Sequence, residues 1–332
     1  MNSKIIPVFL MFCGMLSGQK KILDHADFEI WNSIENEQIS TDGSFVMYSL
    51  EEGEKDQYLK IKKSDGNPVF EYDRAGDGAF THDSKFAVFA IRAWKDSVAA
   101  LKRRIVKKDD LPKDSLGIYD LKKGALTKLP GVRSFKVPEK WSEYVVFQVA
   151  PEKEVKKKDK DSTSSGKSKK KKKKPSAKNG YHLVVWELET GRHDTFKFVT
   201  DYVLAREAKR LAFTTTGEND SSDTGIYVLD LEKERLRALH SSKKAEYKQM
   251  RFSDSGKHFG FVTDEDTTKV QVRPTRLYYW NDGLEAAEVI AGPGMETSGL
   301  LPSKYAKVHF SEDDSKMYFG LARPRIIRDT SL

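Results

Sequence analysis

One short phrase returns along this chain, and it narrows the choice of fold more than any single residue does. It reads ISTDGSFVMYSL from Ile39, FTHDSKFAVFAI from Phe80, FSDSGKHFGFVT from Phe252 and FSEDDSKMYFGL from Phe310. Each copy has an apolar residue, a Ser or Thr, a polar turn carrying Asp, and then an alternating apolar run. Alternation of period two is the mark of a strand with two distinct faces. Weaker copies lie near Val137–Phe147 and Val203–Thr214, where the turns Glu139-Lys140 and Glu207-Ala208 lack Gly but keep the apolar run.

Between these phrases stands a second kind of run that ends in a turn. Examples are Gly117-Ile118-Tyr119-Asp120-Leu121, Leu183-Val184-Val185-Trp186-Glu187-Leu188, Gly225-Ile226-Tyr227-Val228-Leu229 and Leu277-Tyr278-Tyr279-Trp280. The Asp-Gly, Thr-Gly and Asn-Asp-Gly sequences at these places predict positive φ in tight hairpins. The spacing is 41 residues from Asp42 to Asp83, 47 from Glu207 to Asp254 and 59 from Asp254 to Asp313. Strand repeats of a few tens of residues predict an all-β chain, a β-propeller with about six blades or part-blades. The stretch Ala93–Lys107, rich in Ala, Lys and Arg, predicts a short helix between two strand regions.

Hydrophobic residues make up 38% of the 332 residues, enough for a packed core. At the start, Lys4 precedes an apolar stretch from Ile5 to Leu16 and then the small residues Ser17 and Gly18. That order predicts a secretory signal peptide over residues 1–18 and a propeller over residues 19–332. The apolar stretch is too short to span a bilayer, and no later one is longer. Cys13, the single cysteine, sits inside this leader. The mature chain therefore has no thiol for disulfides, thiol catalysis or thiolate metal sites.

The net charge of +8 is local: thirteen lysines and three acids between Lys153 and Lys178 account for +10, leaving the rest at −2. The segment 151–179 is lysine and serine with hardly an apolar side chain, which predicts a disordered hairpin expansion. It separates the strand-like runs Tyr144–Phe147 and Tyr181–Trp186. Its run Lys169, Lys170, Lys171, Lys172, Lys173 and Lys174 offers weak contact with an anionic surface. No aromatic residue is interleaved to stack on a base, so no nucleic-acid partner is expected.

Chemistry is sparse. No Gly-x-Ser-x-Gly elbow occurs, and no alternation of strands with long helices surrounds a serine. Ser298 is a loop serine. The histidines His25, His82, His182, His193, His240, His258 and His309 never fall at zinc-ligand spacing. Gly166-Lys167-Ser168 lacks the first Gly of a phosphate loop, and Asp159-x-Asp161-x-Thr163 lacks the Gly and Glu of a calcium loop. Acidic turns such as Asn219-Asp220 with Asp223, and Glu312-Asp313-Asp314, read as solvated turns. No catalytic, cofactor-binding or metal-binding residue is assigned.

Beyond the repeats, several stretches carry a resemblance. They are Leu23-Asp24-His25 with Trp31-Asn32-Ser33-Ile34, Ile39-Ser40-Thr41-Asp42-Gly43, the stretch Lys107–Tyr119 containing Lys-Asp-Ser-Leu-Gly-Ile-Tyr, and Ala322-Arg323-Pro324. With these, the chain resembles the N-terminal β-propeller portion of exported Bacteroidetes-type serine peptidases of the prolyl-oligopeptidase family. The resemblance implies a C-terminal α/β-hydrolase domain with a Ser-Asp-His triad, and a propeller that gates or sizes peptide substrates for it. It implies a periplasmic or secreted location. None of the triad positions exists in this chain, which reads as a truncated product or fragment. A strand near Met317–Leu321 would then leave an open edge and make the isolated product associate. The alternative is a free-standing, TolB-like periplasmic propeller that binds protein or glycan.

Overall fold

The structure, a computed structural model, describes Asp24, Asp27 and residues 31–53, 55–106, 110–150, 178–217, 223–242, 245–265, 274–295 and 299–324. The expected signal peptide with Cys13, His25, Ser298 and the Lys-rich segment through residue 177 lie outside the described residues.

The strands form an antiparallel meander in which each pairs with the next. The first sheet holds β1 (Asn32–Ile39), β2 (Phe45–Glu52), β3 (Tyr58–Lys63) and β4 (Pro68–Asp73). The second begins with β5 (Ala75–Phe80) and β6 (Phe86–Ile91), passes through α1 (Lys95–Arg103), and continues with β7 (Asp114–Asp120) and β8 (Ala125–Lys136). Strand β8 serves two sheets: residues 125–130 pair with β7, residues 134–136 pair with β9 (Tyr144–Val149), and Val132 pairs with both. After β10 (Tyr181–Glu187), β11 (His193–Leu204) repeats the device, with Val199 as the residue shared between β10 and β12 (Arg210–Thr215). Next come β13 (Gly225–Asp230) and β14 (Arg235–Ser241). Another four-stranded sheet follows, of β15 (Glu246–Phe252), β16 (His258–Asp264), β17 (Thr275–Asn281) and β18 (Glu288–Ala291). Two short ladders end the described chain: β19 (Leu301–Pro302) with β22 (Leu321–Ala322), and β20 (His309–Phe310) with β21 (Met317–Tyr318).

Split at Val132 and Val199, the ten-stranded ladder from β5 to β14 is three blades. The described residues therefore form five four-stranded blades and a two-strand sixth, a β-propeller. Each repeated phrase is the turn between the first and second strands of a blade, and each second-type run is a third strand. The helix is α1, shorter than its expected span.

Side-chain alternation explains how the blades stack. In β9, Val145 and Phe147 pack toward the second blade with Phe86, Val88, Leu116 and Ile118. Val146, one residue out of phase, packs toward the fourth blade with Leu183, Leu211 and Phe213. Ile226 and Val228 likewise meet Phe259, Phe261 and Trp280 of the fifth blade, while Tyr227 and Leu229 meet the third. Both faces of a middle strand are buried, so such strands read as short continuous apolar runs. Gly117 belongs to this packing: a Cβ there would lie 2.4 Å from the Phe89 ring.

One expected turn differs. Gly43, Gly124 and Gly191 take positive φ, but Gly283 does not. Its N–H is donated to the Asn281 side-chain oxygen (2.9 Å), so the Asn side chain closes that turn without a left-handed residue.

Packing between blades, rather than surface charge, should therefore set stability. Gly117→Ala is expected to destabilise the chain by about 1–3 kcal/mol through overpacking. Lys85→Ala, which removes the exposed pair to Glu189 between the second and third blades, should leave the urea midpoint nearly unchanged. The reverse order of the two midpoints would refute this ranking.

Candidate functional site

An antiparallel meander sends successive connections to opposite ends of each blade. One end carries the turns between first and second strands and those between third and fourth, all short. The other carries the connections between second and third strands, including residues 92–113 with α1, 150–180, 216–224 and 265–274. The Lys-rich insertion leaves β9 and re-enters β10 at that elaborated end.

The short end is latched. Ser40 Oγ accepts the Phe45 N–H (2.9 Å) and donates to Asp42 Oδ1 (2.6 Å), which also accepts the Ser44 N–H (3.0 Å). Thr81 with Asp83 and Ser311 with Asp313 repeat this arrangement, and Ser253 uses Ser255 in place of the acid. The fourth position is left-handed in every one of these copies: Gly43, Ser84, Gly256 and Asp314. The Ser40 hydroxyl, with the Ser44 amide, holds the Asp42 carboxyl down at about 2, and Ser311 with Ser315 does the same for Asp313. The acids in these turns, Glu312-Asp313-Asp314 included, thus have local structural partners.

Each turn also grips the next blade. The Asp42 N–H donates to Ser84 Oγ (3.2 Å), and the Asp83 N–H to Ser142 Oγ (2.8 Å). The Lys140 N–H donates to the Arg206 carbonyl (3.2 Å), and the Glu207 N–H to the Asp254 carbonyl (3.1 Å). The Ser255 hydroxyl donates to the Asp314 carboxylate. A chain of hydrogen bonds thus runs around the short end from the first blade to the sixth.

Just inside this chain, the first strands of the third, fourth and fifth blades enclose a cavity of about 600 Å³. Its walls mix apolar residues (Val137, Pro138, Val203, Leu204, Met250, Phe252) with charge. Arg206 is neutralised on both sides, by Glu139 (3.1 Å) and Asp254 (2.7 Å). Lys136 Nζ donates to the Tyr202 carbonyl (2.6 Å) and lies 4.8 Å from the centre of the Tyr202 ring. Lys136 lines the cavity as an exposed residue, and partial desolvation by the protein around it pushes its pKa down. Burial likewise raises the Tyr202 hydroxyl to about 12.

A second polar cluster sits between the fourth and fifth blades at the elaborated end. The Tyr278 hydroxyl donates to Glu265 (2.7 Å), which can only accept. His240 Nε2 must then carry the proton it shares with Tyr278 (3.2 Å), and Nδ1 accepts from the Tyr247 hydroxyl (2.9 Å). Thr263 (3.0 Å) and Arg276 (3.3 Å) complete the Glu265 carboxylate. Burial lowers the His240 pKa against the pull of Glu265, and it raises both tyrosines.

The histidines are dispersed. His182 meets the Phe198 ring edge-on, His193 stacks on Trp186, and His258 pairs with the Tyr279 hydroxyl (2.6 Å). His82 and His309 are exposed. Among the described residues, no three His, Cys, Asp or Glu side chains gather as metal ligands, and no helix is long and apolar enough to cross a membrane. Lys169 to Lys174, Gly166-Lys167-Ser168, Asp159 and Asp161, and Asn219-Asp220 lie outside the described residues. Sequence reasoning missed Lys136, Arg251 and the His240 cluster. The signal for the two cations was their position, immediately before the opening apolar residue of a phrase.

No family model and no curated protein matches this sequence. Among solved structures, the β-propeller domain of the trilobed protease from Pyrococcus furiosus is 13% identical with a TM-score of 0.42, covering 88% of this chain and 80% of that one. A prolyl endopeptidase is 11% identical with a TM-score of 0.47, covering 90% of this chain and 43% of that one. The chain thus spans less than half the length of that enzyme. Oligogalacturonate lyase from Vibrio parahaemolyticus is 10% identical with a TM-score of 0.41, covering 86% and 70% respectively. Similarity this distant carries no function from one chain to another.

The His240 cluster makes two measurable claims. Tyr278→Phe removes the hydroxyl that bridges His240 and Glu265, and should cost about 1–3 kcal/mol in urea unfolding. His240 and His182 have folded pKa values below their unfolded value of about 6.5. The unfolded chain therefore binds protons first as the pH falls, and the melting midpoint should drop between about pH 7 and pH 5. Asp42 and Asp313 add a further loss below about pH 4, toward their folded value of about 2. A midpoint that rises from pH 7 to pH 5 would contradict the buried, neutral histidine.

Proposed function

We propose that the chain is a non-catalytic propeller module of an exported serine peptidase similar to the prolyl-oligopeptidase family. In that reading it limits which peptides reach a hydrolase domain supplied beyond these residues. The observation that carries it is the pairing of a propeller that encloses a mixed apolar and charged axial cavity with a sequence that contains no nucleophile elbow. The sequence resemblance in Trp31–Ile34 and Lys107–Tyr119 supports the same family. The latched short end suits a rigid wall, and the long connections at the opposite end suit attachment or substrate selection.

Export belongs to the same proposal, and the native protein is expected to begin near Gln19 when its N-terminus is sequenced. The purified chain should leave chromogenic prolyl peptides intact. The DNA following the codon for Leu332 should encode a Gly-x-Ser-x-Gly elbow within an α/β pattern. Cleavage by the chain through one of its own serines would sink the proposal. So would a native stop codon at that point together with a closed, monomeric particle, an outcome that favours a free-standing periplasmic propeller binding protein or glycan.

A further inference from the structure

Aligning the blades by their turns brings out a relation between two cations of the axial cavity. The backbone N–H bonds that close the turns make Ser40, Ala205 and Ser253 equivalent, and the matching inter-blade bonds from Lys140 and Glu207 place Pro138, which has no N–H, beside Ala205. Two residues earlier, the matching positions are Gln38, Lys136, Val203 and Arg251. Lys136 and Arg251 therefore stand at the same level of the axis, on the third and fifth blades, with the apolar Val203 of the fourth blade between them. All three line the same cavity.

Their charges are left over. Arg206, in the turn after β11, is shared by Glu139 and Asp254, so those three groups cancel to a net of one negative charge. Lys136 spends one N–H on the Tyr202 carbonyl and has two more. Asp201 acts on it through space, but its Oδ1 accepts the Tyr202 N–H (2.8 Å). Arg251 is exposed and has no carboxylate partner among the described residues. The level of Val203 thus has two exposed cations in a cavity whose walls mix polar and apolar residues.

We infer that the axial cavity is a carboxylate-binding site, in which Lys136 and Arg251 clamp the free C-terminal carboxylate of a short peptide over Val203. A carboxylate suits a paired ammonium and guanidinium, each supplying charge-assisted N–H bonds. The preceding apolar side chain of the peptide would lie against Leu204, Met250 and Phe252. A cavity of about 600 Å³ matches the size of a short peptide segment. The lowered pKa of Lys136 is in keeping with this, because an arriving carboxylate would favour its charged form. The inference rests on the reading of the module as one that handles peptides.

The test is calorimetric titration of the full chain at low salt with acetyl-Gly-Pro-Phe-Leu as the free acid and as its C-terminal amide. The acid is expected to bind at least about tenfold more tightly than the amide, and the gap should narrow as salt rises. Lys136→Met with Arg251→Met should abolish the gap, while Lys136→Arg should keep most of it. Far-UV circular dichroism and melting establish that each variant is folded. Should the double variant unfold, Arg251→Gln, at an exposed position, must still reduce the preference. Equal binding of acid and amide removes the carboxylate clamp while leaving a peptide-handling module in place. Failure of both peptides to bind overturns the clamp, as does a folded double variant that retains the preference. Neither outcome bears on whether an elbow serine follows Leu332, so the two proposals fail separately.

Discussion

Apolar packing between successive sheets is the interaction on which everything else in this molecule depends. Each middle strand of the second to fifth blades has two faces, and each face is buried against a different neighbour. Five apolar clusters result, one for each junction between consecutive blades. A fully buried Phe, Leu or Val contributes roughly 1.5–3 kcal/mol, and every junction holds more than one buried apolar side chain. The ion pairs that cross the same junctions are mostly exposed, where such pairs contribute little. They orient the blades more than they bind them.

The hydrogen-bonded chain of turns adds a constraint that packing alone lacks. Apolar contacts are non-directional, whereas the bonds from Asp42 to Ser84 and from Asp83 to Ser142 hold neighbouring turns at a set distance. A repeated turn with a left-handed fourth residue presents the same donor toward the next blade each time. Gly fills that position in two copies, and Ser84 and Asp314 fill it in two others, so the strain of a side chain there is tolerated when the turn is otherwise bonded. Fixing one end of the blades in this way leaves the other end free to carry long connections without loosening the array. It also places one residue per blade at each level of the axis, which is how Lys136 and Arg251 come to share a cavity.

Much of the fold was legible because propeller strands are local objects. The turn at Ile39-Ser40-Thr41-Asp42-Gly43 closes on itself within six residues, so its chemistry lies in consecutive letters. The flanks of the Lys-rich insertion were recognisable as a strand pair for the same reason, and β9 and β10 do pair. Strands β8 and β11, each shared by two blades, were not legible. Their change of partner at Val132 and Val199 depends on where the neighbouring sheets lie. The Asn281-Asp282-Gly283 turn was recognised as a turn but given the wrong backbone, since an Asn side-chain bond and a left-handed Gly suit the same letters.

The axial cavity and the His240 cluster belong wholly to the tertiary level. Lys136, Val203 and Arg251 are far apart along the chain, and His240, Glu265 and Tyr278 come from two different blades. Periodicity of two and the turn chemistry of Ser, Thr, Asp and Gly sufficed to determine that this chain makes repeated antiparallel sheets. Which side chains face one another across the axis was decided only when the sheets stacked. The stacking direction follows from the apolar faces of whole sheets, and no stretch of neighbouring residues contains that information.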